Sequence, residues 1–261
     1  MFRALFTAAT GMETQQLEID NISNNLANVN TSGFKKSRTS FEDLMYQTVM
    51  LPGRQTNTGI RAPVGLQVGH GSRAVAVEKI YTQGSIKQTG QDLDIAIEGN
   101  GFFQIRTPTG DIAYTRSGAF RRDADGNVVT IAGYRLQPPI NVPQDAVKIN
   151  VGEDGTMTML SASTNTEVEL GKLEIANFVN PAGLRNMGKN LYAMTEASGQ
   201  PIIGFPGEDG RGTLAQGFME MANVNIAEEL INMIMAQRAY EINSKVIQTA
   251  DQMIQNSNVL R

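Results

Sequence analysis

The chain has 261 residues, long enough to bury a substantial core in one to three domains. Its formal charge of −4 supplies no basic field to offset phosphates, which excludes a nucleic-acid partner. It lacks the apolar run of roughly 18 residues that a membrane span requires, and with no cysteine it has neither disulfides nor a thiolate nucleophile.

Residues 1–30 predict a helix. Leu5, Ala8, Met12, Gln15, Ile19, Ile22, Leu26 and Val29 advance by alternating threes and fours, which is a heptad seam with Gln15 as its polar member. The start carries Arg3 but no continuous apolar core of a signal peptide, so it reads as part of the mature helix. A stop is expected near residues 30–33, with Gly33 in the left-handed position and Phe34 folding back on the last turn. The asparagines at 21, 24, 25, 28 and 30 are poor helix formers, so this helix is expected to draw its stability from partners.

Lys35, Lys36 and Arg38 read as a solvated helix exit. Ser40 is placed to cap a short helix reaching Met50, with Phe41, Leu44, Met45 and Val49 inward. Residues 51–71 hold Pro52, Pro63 and several glycines. They form an excursion too long for a simple connection, and its Ile60, Val64, Leu66 and Val68 imply that it packs on something.

From residue 72 the period changes to two. Strands are predicted at 72–81, 93–98, 102–107, 112–116, 128–131, 134–137, 147–151, 156–160, 172–179 and 191–195. Asn100-Gly101, Thr109-Gly110, Asp125-Gly126, Asp154-Gly155 and Ser198-Gly199 separate them as turn pairs. Residues 204–217 read as loop.

Residues 223–261 contain neither Gly nor Pro and predict one long helix, with Asn225 as N-cap and Glu228 as a capping-box partner. Two apolar stripes run along it: Ile226, Leu230, Met233, Tyr240, Ile247 and Ile254 on one face, and Ile231, Met235, Ala239, Ile242, Val246, Met253 and Leu260 on another. Two apolar faces need two neighbours. The expected fold is therefore α+β. N- and C-terminal helices pair as a coiled coil (1–33 with 223–261), an extended and small β region follows (34–91 with 205–222), and an antiparallel β domain is inserted between (92–204).

No motif argues for catalysis, a metal or a cofactor. Asp123, Asp125 and Asn127 resemble the start of a calcium loop, but Val128 and Tyr134 stand where that loop needs Gly and Glu, so a hairpin turn is expected. The triplet Gly99-Asn100-Gly101 precedes a strand instead of a helix and lacks the third glycine of a phosphate loop. His70 is the sole histidine. The close carboxylates Asp92 and Asp94, like Glu208 and Asp209, sit beside turns and are expected to be solvated. The methionines near and in the last helix, including Met219, Met221, Met233, Met235 and Met253, serve either as core filler or as an adaptable interface.

Residues 17–34 read Leu-Glu-Ile-Asp-Asn-Ile-Ser-Asn-Asn-Leu-Ala-Asn-Val-Asn-Thr-Ser-Gly-Phe. This resembles the N-terminal signature of the bacterial flagellar rod and hook proteins. The stretch 92–103, with Leu-Asp-Ile-Ala-Ile-Glu-Gly-Asn-Gly-Phe-Phe, is similar to that family's central motif, and 223–253, with Gln-Arg-Ala-Tyr-Glu, to its C-terminal one. Chain length and the segment 46–71 are most similar to the distal-rod members.

The resemblance implies a non-enzymatic axial subunit that polymerises with itself into a helical tube around an export channel and carries motor torque across the periplasm. Its terminal helices would line the tube and its β domain would lie outside. The implied polymerisation residues are Leu5, Met12, Ile19, Ile22, Leu26, Val29, Ile226, Leu230, Met233, Ile242, Val246, Ile247, Met253 and Ile254. Tyr46, Leu51, Ile60, Val64 and Leu66 would stiffen the rod. Implied partners are neighbouring rod and hook proteins, the surrounding basal-body rings and the flagellar type III export apparatus, with export needing no cleavable signal. A secreted coiled-coil binding module is the rival from another class, but its heptads would have to be contiguous, and a cell-wall hydrolase lacks a persuasive acid pair.

Overall fold

The fold is that of a computed structural model, which describes residues 2–52, 64–162 and 166–259. The chain divides into two compact units. The first comprises Met1–Leu26, Ser37–Glu78 and Asn225–Arg261, and the second Ala27–Lys36 and Lys79–Val224. The class is α+β, a helix at each end with a large antiparallel β region between them.

The first unit is built on α1 (Phe2–Ala27), four strands and α2 (Ile226–Val259). The strands are β1 (Ser37–Asp43), β2 (Gln47–Met50), β3 (Leu66–Val68) and β4 (Ser72–Lys79); β1 pairs with β4 and β2 with β3. The helix expected over 40–50 is thus overturned. Met45 is 86% exposed, and Phe41 and Val49 are exposed as well. Long-range pairing overrides the local pattern here. The ion pairs Arg38–Glu78 and Arg73–Glu42 tie β1 to β4, the Asn21 amide donates to Thr39 Oγ1 at 3.1 Å, and Leu44 N donates to the Gly71 carbonyl at 2.8 Å. At the start of α2, Asn225 Oδ1 accepts the Ala227 N–H at 3.1 Å, the N-cap expected of it.

α1 ends three residues sooner than the expected stop. A turn follows in which Thr31 N reaches Asn28 O at 3.0 Å and Phe34 N reaches Thr31 O at 3.3 Å. Gly33 has φ +70° as expected, and a Cβ there would stand 2.5 Å from Ser117 N.

Among the described residues the second unit carries sixteen strands. They are β5 (Ile86–Gln88), β6 (Ile95–Glu98), β7 (Phe102–Arg106), β8 (Ile112–Thr115), β9 (Phe120–Arg122), β10 (Val128–Thr130), β11 (Arg135–Gln137) and β12 (Ala146–Val151), then β13 (Thr156–Ser161), β14 (Glu167–Lys172), β15 (Ile175–Asn177), β16 (Arg185–Gly188), β17 (Leu191–Ala193), β18 (Ile202–Gly204), β19 (Thr213–Gln216) and β20 (Phe218–Glu220). β7 is the centre of a nine-stranded sheet. It pairs along one edge with β8, and along the other with β15 near its start and β11 near its end, always antiparallel. Both its faces are covered as well: Phe103 joins a core with Ile95, Ile97, Phe120, Leu136, Met157 and Leu214, while Phe102 packs with Tyr114, Phe178 and Tyr192. β12, β13 and β14 form a separate meander, and β6 pairs with β19 and β5 with β20.

Asp125-Gly126 turns the hairpin between β9 and β10, with Gly126 N donating to Asp123 O at 3.0 Å and a φ of +84° at Gly126. The expected loop at 204–217 instead contains β19, which places Leu214 in the core beside Ile97. The strand expected at 172–179 shortens to β15, since Lys172 ends β14 instead and Leu173 bonds its N–H to Gly155 O between the two.

Gly118 lies so close to β6 that a Cβ would run into the Ile95 carbonyl oxygen. Gly118→Ala is expected to cost about 1–3 kcal/mol as overpacking and to lower the melting temperature in calorimetry.

Candidate assembly surfaces

α1 and α2 meet at two points. The Asn25 amide donates to Glu229 Oε2 at 3.2 Å, and Gly11 leaves a gap in which its Cβ would stand 2.9 Å from Asn243 Nδ2. The two contacts are fourteen residues apart on each helix and run in opposite directions, so the helices lie antiparallel where they meet. The inward residues of α2 at that step are Glu229, Ala236, Asn243 and Ala250, with Met233, Ile247 and Ile254 half-buried beside them. On α1 the seven seam residues from Leu5 to Leu26 are buried or half-buried, Ile22 fully, and Val29 falls past the helix end. Polar residues are buried there too: Asn25 also donates to Ser37 O at 2.9 Å and accepts the Ser37 N–H at 2.9 Å, and Asn21 donates to Ser37 O at 3.1 Å.

The other face of α2 is bare. Ile231, Ile234, Met235, Ile242, Val246 and Met253 are exposed, with Ile242 at 61%. Of the first stripe, Ile226, Leu230 and Tyr240 are exposed as well. The structure therefore brings Leu5, Met12, Ile19, Ile22, Leu26, Met233, Ile247 and Ile254 to inward positions and leaves Ile226, Leu230, Ile242, Val246 and Met253 outside; Val29 is half-buried. Tyr46, Leu51, Val64 and Leu66 are exposed on or beside the β2–β3 hairpin, where Gly69 faces the Tyr46 ring. Ile60 and Leu260 lie outside the described residues.

The second unit holds a buried charge cluster that the sequence reading missed. Lys35 is 1% exposed and is not a solvated helix exit. Its Nζ donates to Glu220 Oε1 and to Thr82 O, both at 2.7 Å. Arg116 Nε donates to Glu220 Oε2 at 2.5 Å, and its other nitrogens donate to the carbonyls of Ile97, Gly99 and Gly101. The glycine triplet thus aims carbonyl oxygens at a cation, the opposite polarity to a phosphate cradle. Asp94 is a further correction: it is 1% exposed, not solvated, and accepts from Arg121 Nη1 at 2.8 Å. Glu208 and Asp209 are exposed as expected.

Burial opposes the charge on Glu220, but Arg116, Lys35 and the Gly84 N–H together outweigh it and hold its pKa below the usual carboxylate value. Burial likewise lowers the pKa of Lys35, and the single anion it shares with Arg116 does not make good the loss. The two directions agree, since Glu220 faces two cations and Lys35 faces one anion and one cation.

Three family models match the chain: "Flagella basal body rod protein" over residues 5–35, "Flagellar hook protein FlgE/F/G D1 domain" over 96–159 and "Flagellar basal body rod FlgEFG protein C-terminal" over 215–260. The first takes in most of α1 and the last all of α2. The chain belongs to the flagellar rod and hook family. Within that family it is similar over its full length to proteins named flagellar basal-body rod protein FlgG. That of Buchnera aphidicola subsp. Schizaphis graminum is 49% identical over 260 residues, covering 100% of both chains. That of Borreliella burgdorferi is 48% identical, covering 100% of this chain and 99% of its own, and that of Bacillus subtilis 39%, covering 98% and 97%. Among solved structures, Helicobacter pylori flagellar hook protein FlgE2 matches at 18% identity over 62% of this chain and 48% of that one, with a TM-score of 0.25, too low to relate the two folds.

Glu220→Ala leaves two buried cations without their anion and is expected to cost about 3–5 kcal/mol by denaturant titration. The folded-state pKa of Glu220 is lowered, so its contribution is complete above the ordinary value of 4.5 and is lost as pH falls through the folded value. Melting temperature is expected to decline from about pH 4.5 downward, and Glu220→Gln removes that part of the decline.

Proposed function

We propose that the chain assembles with copies of itself into a rigid helical tube, in which the α1–α2 pair forms a coiled coil around an export channel and the bare face of α2 is covered by neighbouring copies. The chain is a structural subunit of the flagellar distal rod and not an enzyme, in keeping with full-length relatives named for the basal-body rod. The observation that carries the assembly mechanism is the uncovered stripe of large apolar side chains on a helix whose opposite side is already occupied. Patches of this kind mark interaction sites. Completing the burial of each half-exposed Ile or Met contributes roughly 1 kcal/mol, so a handful per subunit offset a substantial part of the cost of association. Contacts that repeat head to tail without closing produce a helical filament.

The exposed residues Tyr46, Leu51, Val64 and Leu66 support a second set of contacts to neighbouring copies that stiffens the rod. The same reading assigns neighbouring rod and hook proteins and the basal-body rings as partners, and the flagellar type III apparatus as the export route.

Met235→Glu combined with Ile242→Glu is expected to abolish rods in electron micrographs of concentrated protein, with helix content by circular dichroism unchanged. Rods from the double variant equal to those of the parent chain would contradict the reading.

A further inference from the structure

Glu220 is flanked by two cations, so the buried cluster in the second unit keeps one positive charge in excess. A net charge held away from water is costly unless something pairs with it. Beside it lies a cavity of about 250 Å³ whose walls include Lys35, Arg116, Asn100, Asn177 and Tyr81, with no acidic residue among them. The ammonium of a lysine offers three donors and the guanidinium of an arginine five. Lys35 uses its donors on Thr82 O and Glu220, and Arg116 uses its own on Glu220 and the carbonyls of Ile97, Gly99 and Gly101. That leaves one N–H on each cation without an acceptor among the described residues. Tyr81 Oη is also shut off from solvent and without a partner.

We propose that this cavity is a binding site for a single carboxylate, which accepts from Lys35 and Arg116 and cancels the excess charge. A carboxylate fits better than phosphate: its charge matches the excess of one, and two oxygens suit two spare N–H groups. Burial raises the Tyr81 pKa, so the phenol beside the cavity stays protonated and adds no competing negative charge. Asn177 spends its carbonyl on the Phe178 N–H at 2.9 Å, which turns its amide NH₂ to other uses. The low Lys35 pKa has the same origin, since the ammonium lacks full compensation where it is buried. The acid could be a free small molecule or the Asp or Glu side chain of another copy; the chemistry is the same.

The test is thermal melting of the full chain in sodium acetate against sodium chloride at equal ionic strength and pH 7. Acetate is expected to raise the melting temperature by about 2–4 °C at tenfold excess over its Kd, saturably. Asn100→Asp, which builds a carboxylate into the wall, is expected to melt higher than the parent in chloride and to lose the acetate response. Equal melting in the two salts, or an undiminished acetate response in Asn100→Asp, would overturn the proposal. Sedimentation of polymer during the same titration separates the sources. Loss of polymer as acetate saturates identifies another copy's side chain, and unchanged polymer identifies a free acid.

Discussion

α2 carries apolar side chains on opposite sides, and α1 can occupy only one of them. The side that α1 takes is not the greasier one. Glu229, Ala236, Asn243 and Ala250 form the inward step, and Gly11 on α1 accommodates Asn243 at close range. Small residues let two backbones approach, and Asn25 with Glu229 fixes the register because a buried amide or carboxylate tolerates little misalignment. The large side chains Ile231, Ile234, Met235, Ile242 and Met253 are left outside. A soluble two-helix pair ordinarily does the reverse. This inversion gives the isolated chain a defined helix pair and keeps most of the apolar area of α2 available to other molecules.

The second unit faces a different mechanical demand, because the chain enters and leaves it through adjacent segments. Those segments are joined by charge and backbone together. Gly33 N donates to Glu220 O, Lys35 Nζ to the Glu220 carboxylate, and the Asn223 amide to the carbonyls of Ile80 and Thr82. Arg116 continues the network to the Gly99–Gly101 turn, which abuts β7 at the sheet's centre. The links among Lys35, Glu220 and Arg116 are short and have little access to water, so the entry and exit of the unit are held together there.

The elements legible in the sequence were those with a long or regular signature. The heptad of α1, the N-cap at Asn225 and the strands with an alternating inner face all read directly, as did the turn at Asp125-Gly126. What escaped is physically coherent. β5, β9, β16, β18, β19 and β20 span three or four residues, which leaves a period of two little room to show, and the six-residue β14 escaped as well. The strands at 37–43 and 47–50 depend on ion pairs and hydrogen bonds to residues far along the chain. Lys35 and Asp94 looked like surface charges because their partners, Glu220 and Arg121, are remote in sequence. The inward step of α2 was missed because its residues are small or polar, although their spacing of seven was there to be found.

The chain has no cysteine, so one introduced thiol reports on one position. The decisive measurement is the maleimide labelling rate of Met235→Cys, on the bare face of α2, in dispersed and polymerised protein. Fast labelling when dispersed and strong protection when polymerised is the predicted result. Equal rates in both states would mean that the uncovered stripe of α2 is not where copies meet.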